Sequence, residues 1–314
     1  MMVAKKREAI PAAGRGRLKR VRANYELYLL ISFPVVYFLI FKYWPMYGVQ
    51  IAFKDFSASQ GIWGSPWVGF DHFKRFFDAY NFWQIIRNTV YLSGLNLAIA
   101  FPIPIFVALM LNQLRQQRLK RFIQTTIYAP YFISTIVLVG MLYVFLSPSS
   151  GLVNQVIKLF GGEPILFAGE SAWFRPMYIF SSVWQETGFS SIVYLAALAG
   201  IDPHLHEAAV VDGASKWKRI LHIDLPGIAP TIVVLFILAV GNLMNIGFEK
   251  AFLLQKDLNV DVSEIIPTYV YKIGIQRAQY SFSAAIGLFN AAINLVLLYI
   301  VNRSAKKISG NGLF

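Results

Sequence analysis

Apolar residues gather into six long runs, at about 26–44, 88–112, 124–146, 176–200, 228–248 and 282–302, and most of the charge lies between them. Each run has about 20 residues, which at 1.5 Å per residue spans a hydrocarbon core of ~30 Å. The pattern predicts six transmembrane helices, an all-α membrane protein. Several runs contain proline: Pro34, Pro102, Pro104, Pro130, Pro176 and Pro230. Proline removes an intrahelical hydrogen bond and kinks the helix, and membrane helices tolerate this where neighbours satisfy the freed carbonyls. Such kinks suit a protein that moves, and they suit ordinary packing equally well.

Composition agrees. Of 314 residues 56% are apolar and only 14% charged, against about a quarter in soluble domains, and the mean hydropathy is +0.52. A chain that faces lipid on one side and protein on the other needs that much apolar surface. The absence of cysteine excludes disulfides, thiolate catalysis and cysteine-ligated zinc. The net charge of +13 could suggest nucleic acid, but the cations sit beside apolar runs, where they act as a topology signal.

Lys and Arg set the orientation. Lys5, Lys6, Arg7, Arg15, Arg17, Lys19, Arg20 and Arg22 precede the first run; Arg115, Arg118, Lys120 and Arg121 lie at 113–123; Lys216, Lys218 and Arg219 at 201–227; Arg303, Lys306 and Lys307 after the last run. Placing all four groups in the cytoplasm satisfies the positive-inside rule and puts both termini there. The first run has no small-residue cleavage site after it, only Lys42-Tyr43-Trp44-Pro45, which fits a retained anchor better than a cleaved signal. The expected organisation is a basic cytoplasmic segment 1–25 and a six-span domain 26–302, followed by a cytoplasmic tail 303–314. The domain has outer loops 45–87, 147–175 and 251–281 and a cytoplasmic loop 201–226. The first outer loop is rich in aromatics, Trp63 to Trp83, with a short helix expected over Asp71 to Asp78. Such a segment serves as an interfacial anchor or as a surface for a partner domain.

The most informative stretch is the last cytoplasmic loop. Asp202 can cap a helix that starts at Pro203; Gly213 can take the left-handed conformation that ends it. Ser215 can cap a second helix, with Pro226 as its expected stop. Ala208 and Ala209 are small enough for another surface to approach the backbone, and Trp217, Ile220 and Leu221 form an apolar stripe at helical spacing. Two capped helices on the cytoplasmic side predict a docking element for a soluble partner.

The loop also resembles a known family. Glu-Ala-Ala, three residues, Gly, nine residues, Ile, one residue and Leu-Pro is the EAA pattern of ABC importer permeases, matched at Glu207, Ala208, Ala209, Gly213, Ile223, Leu225 and Pro226, with Asp212 and Ala214 completing Asp-Gly-Ala. Trp67-Val68-Gly69-Phe70-Asp71-His72-Phe73 is similar to the family's pre-span pattern, and Asn88-Thr89 to the opening of its core of spans. Residues Pro45 to Phe56 look like the carbohydrate branch of the Lpl type, which includes the importers of alginate oligosaccharides and related polyuronide fragments. The resemblance covers about residue 25 to the C-terminus. It implies a type I ABC importer permease fold with 201–226 as the coupling element. It also implies a second permease subunit, two ATPase subunits that bind ATP and Mg, an extracytoplasmic solute-binding protein, and the inner membrane of a bacterium. The solute would be an oligosaccharide moved by alternating access.

Other chemistry is not legible. The chain carries no P-loop pattern and no Gly-x-Ser-x-Gly elbow, so it is expected to be a transport subunit without catalytic residues or a cofactor of its own. His204 and His206 point roughly 200° apart on a helix, unlike the i, i+4 pair of zinc proteases, so no metal site is expected. Polar residues inside the runs are candidates for the translocation path: Gln185, Glu186, Asn242, Asn245, Asn290 and Asn294. A mid-bilayer charge such as Glu186 costs about 2.5–3.5 kcal/mol on insertion scales, so it faces a cavity or partner, or makes an interhelical bond. The amides suit sugar hydroxyls and helix–helix contacts alike. Two other readings compete: a permease of the same family for a different solute, separated by uptake of labelled candidates, and an ion-coupled carrier, which would need repeats and ion-binding carboxylates.

Overall fold

The computed structural model describes residues 24–310, 312 and 313, so the basic cluster Lys5 to Arg22 lies outside the described residues. The described chain is helical, with one isolated β-bridge, Lys54 to Trp67. Among the described residues four helices are long and apolar enough to cross a membrane: Tyr25–Phe53, Phe82–Asn112, Lys216–Gly241 and Tyr280–Lys307. A bent pair, Gln117–Phe132 and Thr135–Phe145, which meet at 98°, is as apolar and as long when its two parts are taken together. The helix Ser171–Ala199 has 29 residues but is less apolar, because it carries Arg175, Gln185, Glu186 and a set of serines. It is also the centre of the fold: Phe174, Tyr178, Ser182, Gln185, Gly188, Ser191, Tyr194 and Leu198 all lie on its buried side.

The sequence pattern predicts one span over 124–146 with a kinking proline, Pro130, and in the structure that kink is a full break. Ala129–Phe132 is a tight 3-10 turn containing Pro130, and Ile133 is extended. Pro130 cannot continue the hydrogen-bond ladder. Ser134 restarts the helix by accepting from the Val137 N–H at 3.4 Å. The Ile133 carbonyl is taken up by Gln185 Nε2 at 2.8 Å. The expected 113–123 loop is also largely helical, since Gln117–Tyr128 forms one helix. Leu119, Phe122, Ile123 and Ile127 recur every three to four residues there, with Arg118, Lys120 and Arg121 between them, an amphipathic pattern hidden by its charge. Gly188 lets this helix approach the central one: a Cβ at that position would lie 1.9 Å from the Ile127 carbonyl oxygen.

Two further expectations change. The run read as 228–248 begins earlier and ends at Gly241; Leu243–Asn245 is a 3-10 turn and Phe248–Leu254 a separate helix. The segment 251–281, expected as a loop, enters the core: Ile265, Ile266 and Thr268 are almost fully buried. Asn88 and Thr89 hold it there. Asn88 Nδ2 donates to the Asp261 carbonyl at 2.8 Å and the Glu264 carbonyl at 3.2 Å. Thr89 Oγ1 accepts from the Ile266 N–H at 2.9 Å and donates to the Ile85 carbonyl at 2.7 Å. The short helix expected over 71–78 is present as Asp71–Phe77 and buries Phe76 beside Phe82, Phe282 and Phe289. Tyr80 and Trp83 remain exposed. In contrast, no residue of Tyr25–Phe38 is buried.

Candidate functional site: the coupling loop and a polar cavity

The loop folds as its caps dictate. Pro203–Val211 starts at Asp202, whose carboxylate accepts from the His204 N–H at 3.0 Å. It ends at Gly213, with φ +74°. There the Ala214 N–H reaches the Ala209 carbonyl at 2.8 Å and the Gly213 N–H the Val210 carbonyl at 3.1 Å. This pair of bonds is a Schellman closure, which needs a left-handed residue where glycine is least strained. Ser215 caps the next helix, accepting from the Lys218 N–H at 3.4 Å. Pro226 does not stop that helix, contrary to the sequence expectation. Lys216–Arg219 passes through a π turn, Ile220–Asp224, into Leu225–Gly241, and Pro226 sits in the first turn of this last part. The π turn just before it, where the Leu225 N–H reaches back to the Ile220 carbonyl, loosens the ladder enough for the helix to run on through a residue without an N–H.

Glu207, Ala208, Asp212, Gly213 and Pro226 are exposed, while Ala209, Ala214, Ile223 and Leu225 are half-buried. The loop therefore presents small residues and carboxylates together with the exposed apolar side chains Leu205, Val211 and Trp217. Its attachment is a residue that sequence reasoning passed over, Asp224, which is fully buried. Gln113 Nε2, at the end of the 82–112 helix, donates to Asp224 Oδ2 at 3.0 Å. His206 Nε2, from the first loop helix, lies 3.2 Å from Asp224 Oδ1. One carboxylate thus ties three segments together. Ile220 and Ile228 continue the attachment, packed with Ala108, Leu109, Tyr194 and Leu198. The two histidines part company as the helical spacing requires: His204 Nδ1 lies 3.2 Å from Glu207 Oε2 at the surface. A signal for Asp224 was available, namely an acid inside an apolar stripe, since unpaired acids are almost never fully buried.

The six candidates for the path separate into two groups. Glu186, Asn242 and Asn245 line one cavity of about 370 Å³, together with Ser93, Asn96, Tyr178 and Ser182. Glu186 is exposed in the isolated chain. Gln185, Asn290 and Asn294 lie outside this cavity. Gln185 secures the bend at Ile133. Asn294 Oδ1 accepts from the Met244 N–H at 3.0 Å, and Asn290 Nδ2 donates to Asn245 Oδ1 at 2.7 Å. These two asparagines, i and i+4 on the last helix, therefore hold the break after Gly241 open and orient the lining amides. Lys250, which the sequence reading did not single out, is buried behind the cavity with its Nζ donating to Ser182 Oγ at 2.9 Å.

Known proteins share this architecture and sequence. Residues 100–310 match the family model described as "Binding-protein-dependent transport system inner membrane component". The chain is 45% identical to Protein LplB of Bacillus subtilis (strain 168) over 315 residues, covering 99% of both chains. It is 46% identical over 297 residues to the polygalacturonan/rhamnogalacturonan transport system permease protein YteP of the same organism, covering 95% of this chain and 92% of that one. Two crystal structures superpose closely. One is a bacterial ABC transporter involved in the import of the acidic polysaccharide alginate, with TM-score 0.86 and 41% identity over 93% of this chain and 99% of that one. The other is a bacterial alginate ABC transporter in complex with an alginate pentasaccharide-bound periplasmic protein, with TM-score 0.87 and 40% identity over 95% of this chain and 99% of that one. The chain belongs to the family of inner-membrane permease components of binding-protein-dependent transport systems, and is a transport subunit rather than an enzyme.

Proposed function

We propose that this chain is one of two permease subunits of an ABC importer for an acidic oligosaccharide, a fragment of alginate or another polyuronide. The observation that carries this reading is the likeness, at 40% identity or more across nine-tenths of the chain, to a polygalacturonan/rhamnogalacturonan permease and to alginate transporter structures. In this reading six spans cross the membrane: the four long apolar helices, the bent pair, and the 171–199 helix, whose polar side borders the path. Segment 1–25 and tail 303–314 are cytoplasmic, and 45–87, 147–175 and 251–281 face outward, toward a solute-binding protein.

Two ATPase subunits, which bind ATP and Mg, engage the loop 201–226 through Glu207, Ala208, Ala209, Asp212, Gly213 and Ala214. Ile223, Leu225 and Pro226 carry its movement into the 216–241 helix. The free energy comes from differential affinity: ATP must favour one state of the complex, and the loop must make different contacts in each. Glu186, Asn242 and Asn245 border the solute's route, with hydroxyl-binding amides on one wall. The test is a binding screen of the cognate solute receptor against uronate and neutral oligosaccharides, followed by uptake into vesicles holding the full complex. Receptor binding and uptake of uronate chains alone support the reading; preference for a neutral sugar, an amino acid or phosphate overturns it.

A further inference from the structure

Lys250 is only 5% exposed. Its ammonium has three donors, and one of them is used, on Ser182 Oγ at 2.9 Å. The Tyr178 ring centroid lies 5.8 Å away. Among the described residues no carboxylate stands within salt-bridge distance of it, although the charge of Glu186 acts on it across the cavity wall. A buried cation without an ion-pair partner is a costly arrangement, of order several kcal/mol. Packing does not require it, since a hydroxyl or amide would satisfy Ser182. The residues around it are those of the path: Tyr178, Ser182 and Glu186 all line the cavity, and Ser182 and Glu186 stand one helical turn apart on the same face. Lysine's flexible four-carbon stem lets its charge turn toward an incoming group.

We propose that Lys250 forms a carboxylate-binding subsite beside Ser182, through which the membrane path itself selects acidic over neutral saccharides. Glu186 then serves as the resident counter-charge. With the path empty it balances the ammonium from a distance; a uronate carboxylate seated against Ser182 replaces it at close range. This deepens the acidic-oligosaccharide reading of the same cavity and rests on it.

The test measures equilibrium binding to the purified complex of permeases and ATPases with the receptor omitted, so that receptor selectivity does not enter. The probes are a uronate trisaccharide and its carboxyl-reduced, neutral counterpart. The wild type should prefer the uronate by about tenfold or more, the range of a charge-assisted contact. Lys250→Met should abolish the preference, the uronate binding no better than the neutral probe, and Lys250→Arg should keep most of it. Lys250→Met retaining the wild-type preference would falsify the subsite while a uronate-binding receptor left the substrate reading standing. Equal loss of both probes in Lys250→Met, with Lys250→Arg no better, would reduce Lys250 to a packing role. A receptor that binds only neutral sugars would sink the substrate reading itself.

Discussion

The loop at one end of the bundle and the cavity in its middle are both organised around a buried charge, yet in opposite senses. At the loop, a carboxylate with no exposed surface, Asp224, holds partners on two other segments, and the surrounding chain turns Glu207, Ala208 and Asp212 outward. At the cavity, an ammonium, Lys250, has a single hydroxyl partner, and the surrounding polar groups turn inward. A carboxylate held from two other segments fixes geometry; an ammonium with one partner leaves capacity for something else. The comparison assigns rigidity to the end where force would enter and availability to the place where solute would pass.

The largest expected effect separates the two ends. Gly213→Asp places a side chain at φ +74° and a charge on the exposed turn. The local strain is only about 1–2 kcal/mol, so the fold survives. Receptor-stimulated ATPase activity should nevertheless fall about tenfold or more, within the usual range of coupling energies. Saccharide binding at the cavity should be unchanged. Undiminished stimulation in this variant removes the loop's role in coupling.

Asp224→Ala comes next. It leaves Gln113 without its acceptor and frees His206, at a cost of about 1–3 kcal/mol. Thermal unfolding in detergent should show the loss, and Asp224→Asn, which keeps an acceptor for Gln113, should recover part of it. If alanine and asparagine behave alike, the carboxylate is not what gathers the three segments.

A smaller effect is expected for Asn294→Leu, which removes the acceptor of the Met244 N–H. Polar contacts between membrane helices are worth about 0.6–2 kcal/mol, and the stability change should fall in that interval. Its signature is a weakened grip on saccharide, because the turn at 243–245 carries Asn245 into the cavity; unchanged binding would separate the turn from the site. The smallest effect is reserved for Glu186→Gln. Uronate affinity should rise by about two- to fivefold, as an exposed like charge is removed under solvent screening, and ATPase stimulation should stay constant. A fall in affinity would instead make Glu186 a ligand.

The two regions were unequally legible in the sequence. The loop is 26 contiguous residues, and its structure follows from nearest neighbours: Asp202 before Pro203, Gly213 at the turn, Ser215 before Lys216. Each of these caps stands in the structure where the local chemistry put it. Pro226 misled because a π turn just before it lets the helix run on through a residue that has no N–H. The cavity instead joins segments about 150 residues apart, and apolar periodicity says nothing about which polar residues will meet. Glu186, Asn242 and Asn245 share a wall, while Gln185, adjacent in sequence to Glu186, points some 100° away and secures a carbonyl on another helix. The same limit hid how sharply the chain breaks at Pro130 and the burial of 251–281, since both depend on partners, Gln185 and Asn88-Thr89, supplied from elsewhere in the chain.

Asp224 has one more consequence, for exchange between related transporters. The EAA stretch invites grafting as a cassette, since its recognisable positions are contiguous. Here it is bolted to its host through Gln113, 94 positions upstream of its first recognisable glutamate, Glu207. A chimera that moves the stretch alone would carry a buried acid into a host lacking that amide. A transplant that keeps its footing would have to take the glutamine along.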